Sequence, residues 1–304
     1  MTDLVPLLAA IALAALGGEA FLKGVIGTAT WLRLPPLLIA TTLSAAATSS
    51  PELSVSVMAA LDGRPGIGLG DALGSNVVNI ALALGLGLLF GSLEARWTEI
   101  RRDFIFALFV PPITFVLALD GTLSRKDGAL LLLLFGLWLT LGARQALQHR
   151  RQTTTEAVAA RPGRSVLLSL GGLACLLLAG RLFVTGAGGI AATLGLSNYV
   201  IGATLVAIGT SLPELVTVLL SRWRGQHEVG LGTVLGSNLF NGLVIVGTAA
   251  SIHPIPVNPA DVAIVLSAGL LALLLVVPRK DRIEGRRAPV LLLVYALFAA
   301  LTLA

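Results

Sequence analysis

The sequence is poor in cysteine, histidine and charged residues. Cys175 is the single cysteine among 304 residues, which excludes an internal disulfide and a thiolate metal cluster. The three histidines lie in polar connections, so we expect no histidine metal site. Charged residues make up only 12% of the chain, too few to cover the surface of a soluble protein of this length.

Hydrophobic residues are far more abundant than charged ones. They make up 56% of the chain and the mean hydropathy is +0.91, which indicates that lipid surrounds most of the surface. A helix needs about 20 mostly apolar residues to cross a hydrocarbon core of ~30 Å. This template predicts an all-α membrane protein with ten transmembrane helices. They lie near 5–30, 34–60, 67–90, 103–119, 128–147, 165–193, 198–221, 229–250, 258–277 and 287–304.

The basic residues indicate how the predicted spans are oriented. The connections after the odd-numbered spans share one side of the membrane, and they hold all 21 lysines and arginines except four. The exceptions are Arg64, Arg125, Lys126 and Arg181. The positive-inside rule therefore places the 148–164 connection in the cytoplasm and both termini outside the plasma (inner) membrane. No continuous basic face is present, so we expect no nucleic-acid binding.

An internal repeat relates the two halves of the chain. Residues from about 18 to 85 match those from about 180 to 247 without a gap, at a constant offset of 162. The predicted division is a first five-helix half, a cytoplasmic linker and a second five-helix half, at 1–147, 148–164 and 165–304. Their most similar parts lie at about 41–85 and about 203–247. Because five spans per half is an odd number, the second half must enter the membrane from the opposite side, which makes an inverted repeat.

The repeated segments carry carboxylates inside apolar spans. The two segments are Ala47-Thr48-Ser49-Ser50-Pro51-Glu52 and Gly209-Thr210-Ser211-Leu212-Pro213-Glu214. A charge at this depth is costly unless it is paired or faces a polar cavity. Each proline removes a backbone donor and so frees a carbonyl, which ions or water can then satisfy. Thr48 and Glu52 are four residues apart, and we expect them to share a helix face.

This set of ligands consists only of oxygen atoms, which suits hard cations. Two carboxylates could neutralise one Ca²⁺, which takes about 6–8 oxygens, or they could hold Na⁺ ions or protons. Two further pairs of polar residues have the same spacing, Ser75 with Asn79 and Ser237 with Asn241. Asn76 and Asn238 could instead bond backbone between helices. Outside these segments we expect Asp62 and Asp71 to be solvated, and Glu19 to form a local ion pair with Lys23.

At these residues the chain resembles the cation/Ca²⁺ exchanger superfamily, in particular its prokaryotic sodium/calcium exchanger branch. The family signature is Gly-Thr-Ser-x-Pro-Glu followed by Gly-Ser-Asn-x-x-Asn/Asp. The second segment matches fully, whereas the first has Ala47 for glycine. Some relatives, including potassium-dependent exchangers, carry Asp where this chain has Asn241, which argues against potassium dependence.

The resemblance implies a role for each matched residue. Glu52 and Glu214, with the carbonyls of Thr48 and Thr210, would form the central Ca²⁺ site. One sodium site would take the Ala45 carbonyl, Ser49 and Ser75, and the other the Ala207 carbonyl, Ser211 and Ser237. Asn79 and Asn241 would complete the middle of the site.

The resemblance also implies exchange of Na⁺ for Ca²⁺ by alternating access, in which the first and sixth helices slide past the core. We expect no cofactor, partners limited to the transported ions and membrane lipids, and function as a monomer. Coupling to H⁺ is the alternative, although the hydroxyls of Thr48, Ser49, Thr210 and Ser211 favour sodium. An ion channel is a further alternative. An enzyme is not expected, because the polar cluster lies at mid-span.

Overall fold

The computed structural model describes residues 4–152, 162–193 and 207–303. These residues form mainly helices, several of which are interrupted by short π-helical stretches (π1–π3). The helical elements are α1 Leu4–Leu32, α2 Pro36–Ile39, π1 Ala40–Ser44, α3 Ala45–Thr48, α4 Ser50–Leu61, α5 Pro65–Val77, π2 Val78–Leu84, α6 Gly85–Leu89, α7 Trp97–Ala118, α8 Arg125–Gln152, α9 Pro162–Thr193, α10 Ala207–Thr210, α11 Leu212–Trp223, α12 His227–Leu239, π3 Phe240–Ile245, α13 Val246–Ile252, α14 Pro259–Leu275, a 3₁₀ turn Gly285–Arg287 and α15 Ala288–Leu303.

Two very short antiparallel ladders join loops between the helices. The strands are β1 Leu93–Glu94, β2 Thr122–Leu123, β3 Ile255–Pro256 and β4 Arg282–Ile283. Leu93 pairs with Ile283, and Leu123 pairs with Ile255. Two-residue strands leave no periodic pattern in a sequence, so only the helices could be predicted.

Six of the described helical segments are long and apolar enough to cross a membrane. They are Leu8–Leu32, Pro65–Leu89, Arg125–His149, Pro162–Leu182, His227–Ile252 and Gly285–Thr302. The chain is therefore a helical membrane protein. Part of the predicted seventh span, residues 198–206, lies outside the described residues, as do 153–161 of the predicted linker and the beginning of the second repeated region.

Helices α1 and α9 form a closely packed antiparallel pair. A Cβ placed on Gly24 would lie 2.3 Å from the Ser169 backbone nitrogen, and one on Gly27 would lie 2.3 Å from Ser165 Oγ. Later residues of α1 therefore contact earlier residues of α9, which shows that the two helices are antiparallel. Apolar side chains of this pair belong to a small hydrophobic cluster separate from the large core that the other helices build.

The helices that carry the repeated segments are broken rather than bent. Ser49 leaves the helical region at φ −85° and ψ 12°, and Ser211 does so at φ −84° and ψ 9°. Each serine is followed by a new helix whose first turn holds a proline and a glutamate. A single residue therefore separates Thr48, which ends α3, from α4, which carries Glu52, and both side chains are buried.

Candidate ion-binding site

Glu52 and Glu214 lie in the interior, close enough for their charges to act on each other. Glu52 is 1% exposed and Glu214 is 0% exposed. Each occupies the first turn of its helix, where the positive end of the helix dipole favours a carboxylate. The Oε2 atom of each glutamate is buried and has no hydrogen-bond partner among the described residues. The two side chains thus present acceptors that a cation could use.

Hydroxyl groups from both halves surround Glu214. Ser49 Oγ donates to Glu214 Oε1 at 3.2 Å, and Ser237 Oγ donates to the same oxygen at 3.0 Å. Thr48 Oγ1 lies 3.4 Å from Ser237 Oγ. Ser49 thus shares Glu214 with Ser237, and its grouping with Ser75 in one sodium site stays a prediction. Helix α12, which carries Ser237, packs on π1 and α3, whereas α5, which carries Ser75, packs on α4.

The hydroxyls that match these in the other half of the repeat have a different environment. Ser211 and Ser75 are both buried, and neither Oγ atom has a hydrogen-bond partner among the described residues. Ser211 matches Ser49 at the offset of 162, and Ser75 matches Ser237. Among the described residues, the halves therefore differ in the hydrogen bonding of their serines, and Ser211 and Ser75 have unpartnered oxygens there.

Asparagines connect the two halves beside the glutamates. Asn76 Nδ2 donates to the Asn238 carbonyl at 3.2 Å, and Asn238 Nδ2 donates to the Asn76 carbonyl at 3.1 Å. The backbone-bonding alternative for this pair is confirmed. Asn79 Nδ2 donates to Asn238 Oδ1 at 3.2 Å. Asn241 is fully buried, and both of its amide atoms lack partners among the described residues. Asn79 and Asn241 lie in π2 and π3, and π-helical turns are frequent at functional sites.

The remaining predicted ligands lie on the same broken helices. The Ala45 carbonyl accepts from the Ser49 backbone nitrogen at 3.0 Å and from Thr48 Oγ1 at 3.2 Å. Ala207 begins α10, and its side chain lies outside what the structure describes. Thr210 ends α10 and is half-buried. No three His, Cys, Asp or Glu side chains within the described part of the chain converge on a metal position, so an ion held by the two glutamates would need its remaining ligands from hydroxyl, amide and carbonyl oxygens.

A cavity of ≈ 590 Å³ lies beside the site. It is lined by both repeated segments and by α9, through Ser50, Pro51, Ser54, Val55, Leu177, Gly180, Arg181, Gly209, Thr210 and Pro213. Asp71 approaches the same region, because the Thr210 hydroxyl donates toward its carboxylate. Asp71 is half-buried whereas Asp62 is exposed, so the expectation of solvation is correct for Asp62 and wrong for Asp71.

Two further polar contacts were missed by the sequence analysis. Glu19 pairs with Lys23 as predicted, at 3.0 Å, but also accepts from Arg224 at 2.9 Å. In α7, Asp103 accepts from Arg102 and from Trp138 Nε1, each at 2.7 Å. Neither contact has a local sequence signal, except that Asp103 is an acid inside a predicted span.

Comparison with known proteins identifies the family of this chain. The sodium/calcium exchanger protein family matches residues 3–142 and 164–304. The inner membrane protein YrbG of Escherichia coli strain K12 is 35% identical over 272 residues, which are 85% of this chain and 83% of YrbG. The sodium/calcium exchanger MaX1 of Methanosarcina acetivorans is 26% identical over 327 residues, which cover 93% of each chain.

A solved structure extends the similarity to the fold. The sodium-calcium exchanger NCX_Mj, soaked with 10 mM Na⁺ and 10 mM Sr²⁺, superimposes with a TM-score of 0.83 at 30% identity. The match covers 98% of this chain and 97% of that one. Since the family match spans both halves and both glutamate segments, this chain belongs to the sodium/calcium exchanger family and is a cation/Ca²⁺ antiporter of the membrane.

Proposed function

We propose that the chain exchanges Na⁺ for Ca²⁺, with Glu52 and Glu214 as the carboxylates that both ions share. The observation that carries this proposal is the pair of buried Oε2 atoms, neither of which has a hydrogen-bond partner within the described residues. An unpaired buried carboxylate is costly, so a site built this way is suited to a charge that arrives with the substrate.

Charge neutralisation explains why the two ions would compete. One Ca²⁺ balances two carboxylates, and so do two Na⁺ ions. Calcium takes about 6–8 oxygens in a flexible arrangement, and the glutamates, hydroxyls and loosened carbonyls here supply ligands of that kind. We expect one sodium position to use Glu214, Ser49 and Ser237. The second would use Glu52, Ser211 and Ser75.

Alternating access requires two halves that can exchange roles. Support for ten helices in an inverted repeat comes from matched features at the offset of 162. The π2 and π3 stretches begin at Val78 and Phe240, and Asn76 and Asn238 bond each other reciprocally. Helices α1 and α9 begin the two predicted halves and run antiparallel. The pair contacts the neighbouring helices through a small hydrophobic cluster apart from the large core, and the resemblance implies that it slides along them.

The membrane potential would set the direction of exchange. If more than two Na⁺ ions enter for each Ca²⁺ that leaves, each net charge contributes ~2.3 kcal/mol per 100 mV. A cell that is negative inside would then favour calcium export. We place the protein in the plasma (inner) membrane with both termini outside and the 148–164 loop in the cytoplasm, acting as a monomer among membrane lipids.

The test is Ca²⁺ entry into proteoliposomes that are loaded with Na⁺ and diluted into Na⁺-free buffer. We expect uptake that depends on the outward Na⁺ gradient and persists when a protonophore removes any pH gradient. The control is K⁺-loaded vesicles of the same preparation. Uptake that ignores Na⁺ and follows an imposed pH gradient would instead establish the H⁺-coupled alternative.

A further inference from the structure

Asp71 is a carboxylate that the exchange described above does not use. It lies on α5 one turn before Ser75 and two turns before Asn79, so these side chains share one face of the helical segment. Its Oδ2 atom is buried without a hydrogen-bond partner among the described residues. An ionisable group inside a membrane-spanning segment is a functional candidate by default.

The surroundings of Asp71 connect the cavity to Glu52. The Thr210 hydroxyl donates toward Asp71, and Thr210 lines the ≈ 590 Å³ cavity. The charge of Asp71 acts on Glu52, whose Oε2 atom is unpartnered among the described residues although the residue is 1% exposed. Ser75 adds a second buried, unpartnered oxygen. Thr210 is therefore the residue that both lines the cavity and contacts Asp71, while Ser75 and Glu52 are buried further inside.

The other half of the repeat has no matching charge. At the offset of 162, Asp71 corresponds to Thr233, which is fully buried. Asn241 is likewise neutral at the position where the resemblance allows an acid. The chain therefore carries a third carboxylate near the site on α5, and the matched position in the other half of the repeat is uncharged.

We propose that Asp71 is a third cation-binding carboxylate, which with Thr210 holds a hard monovalent cation, Na⁺, on its way from the cavity to Glu52. This inference rests on the proposed exchange of Na⁺ for Ca²⁺. Asp71 raises the occupancy of Na⁺ offered from the cavity side, while the glutamate pair carries out the exchange itself. Loss of its charge should therefore change half-saturation by Na⁺ and leave the maximal rate largely intact.

The test compares right-side-out and inverted membrane vesicles, with Na⁺ offered on each side in turn and Ca²⁺ flux as the readout. In Asp71→Asn, we expect the Na⁺ concentration for half-maximal flux to rise on the order of fivefold on one side only, the size expected for one unit charge across a partly solvated gap. Asp71→Glu, which retains the charge, should recover most of this affinity. Asp120→Asn, an exposed acid in a loop, is the matched control.

Several results would overturn the inference. The inference fails if Asp71→Asn leaves the Na⁺ concentration for half-maximal flux unchanged. It also fails if only the maximal rate falls, because that pattern indicates a structural role. If Asp71→Asn is not recovered folded, Asp71→Thr, which copies the residue at the matched position, takes its place, and failure of both to fold would also contradict ion binding. Absence of Na⁺-dependent flux in the unmodified protein would instead refute the proposed function.

Discussion

Glu19 and Arg224 lie 205 residues apart in sequence, and their side chains form an ion pair at 2.9 Å. Glu19 belongs to α1, and Arg224 directly follows α11. The contact therefore ties the α1–α9 pair to a helix of the glutamate site, at the end opposite Ser54 and the cavity. Lys23 pairs with the same glutamate at 3.0 Å from within α1.

If the Glu19–Arg224 ion pair helps to keep its own end of the protein closed, removing the pair should favour the conformation in which the cavity at the other end is closed. We predict that Glu19→Gln lowers the maleimide labelling rate of a cysteine introduced by Ser54→Cys, in a Cys175→Ser background. The expected change is up to about fivefold, since an exposed ion pair contributes at most ~1 kcal/mol. Lys23→Gln is the control, because Lys23 joins no second helix in this contact. Equal effects of the two variants would contradict the role of Arg224.

The reciprocal bonds between Asn76 and Asn238 should stabilise the protein. Asn76→Ala removes the donor that satisfies a carbonyl of the other half, and an unsatisfied buried group costs about 1–3 kcal/mol. We therefore expect a lower thermal unfolding temperature in detergent. Asn241→Ala is the matched control, since its amide makes no hydrogen bond to the described residues and its loss should cost less. A larger effect at Asn241 would contradict this account.

Arg102 neutralises a buried acid in α7. Asp103 is 2% exposed, and Arg102 Nη2 lies 2.5 Å from Asp103 Oδ1. Removing one partner of a buried pair leaves an uncompensated charge and typically costs about 3–5 kcal/mol. Arg102→Gln should therefore be strongly destabilising in thermal unfolding. Arg96→Gln, at a mostly exposed pair with Glu99, should change stability little, and similar losses from both would argue against a special role for Asp103.

Much of the site could be predicted from the sequence because its residues occur twice. The offset of 162 identified Glu52, Glu214, Ser49 and Ser211 without any structure, since two independent segments rarely share so many polar residues inside apolar runs. A role for Asp71 was not predicted from the repeat, because the matched residue is Thr233 and an acid near the end of a predicted span is usually solvated. Residues that break the symmetry of a repeat leave no signal in it.

Other features depend on packing that sequence patterns do not contain. Ser49 and Ser237 donate to the same oxygen of Glu214, because α12 packs on α3. The periodicity of a helix does not tell which other helix it packs against. The interruption at Ser49 was not predicted, because a proline inside a continuing helix and a proline in the first turn of a new helix look the same in the sequence. The Glu19–Arg224 pair had one unused signal. At the offset of 162, these residues match Arg181 and Asp62, which also carry opposite charges.

The central claim is that one buried glutamate pair serves both ions. The most direct measurement is Na⁺-driven ⁴⁵Ca²⁺ uptake into proteoliposomes that contain the unmodified protein, Glu52→Gln or Glu214→Gln, each verified as folded by size-exclusion chromatography. We predict robust uptake for the unmodified protein and loss of at least about 100-fold in each variant, because either substitution leaves the site one charge short of balancing Ca²⁺. Uptake at the full rate in either glutamine variant would contradict the account.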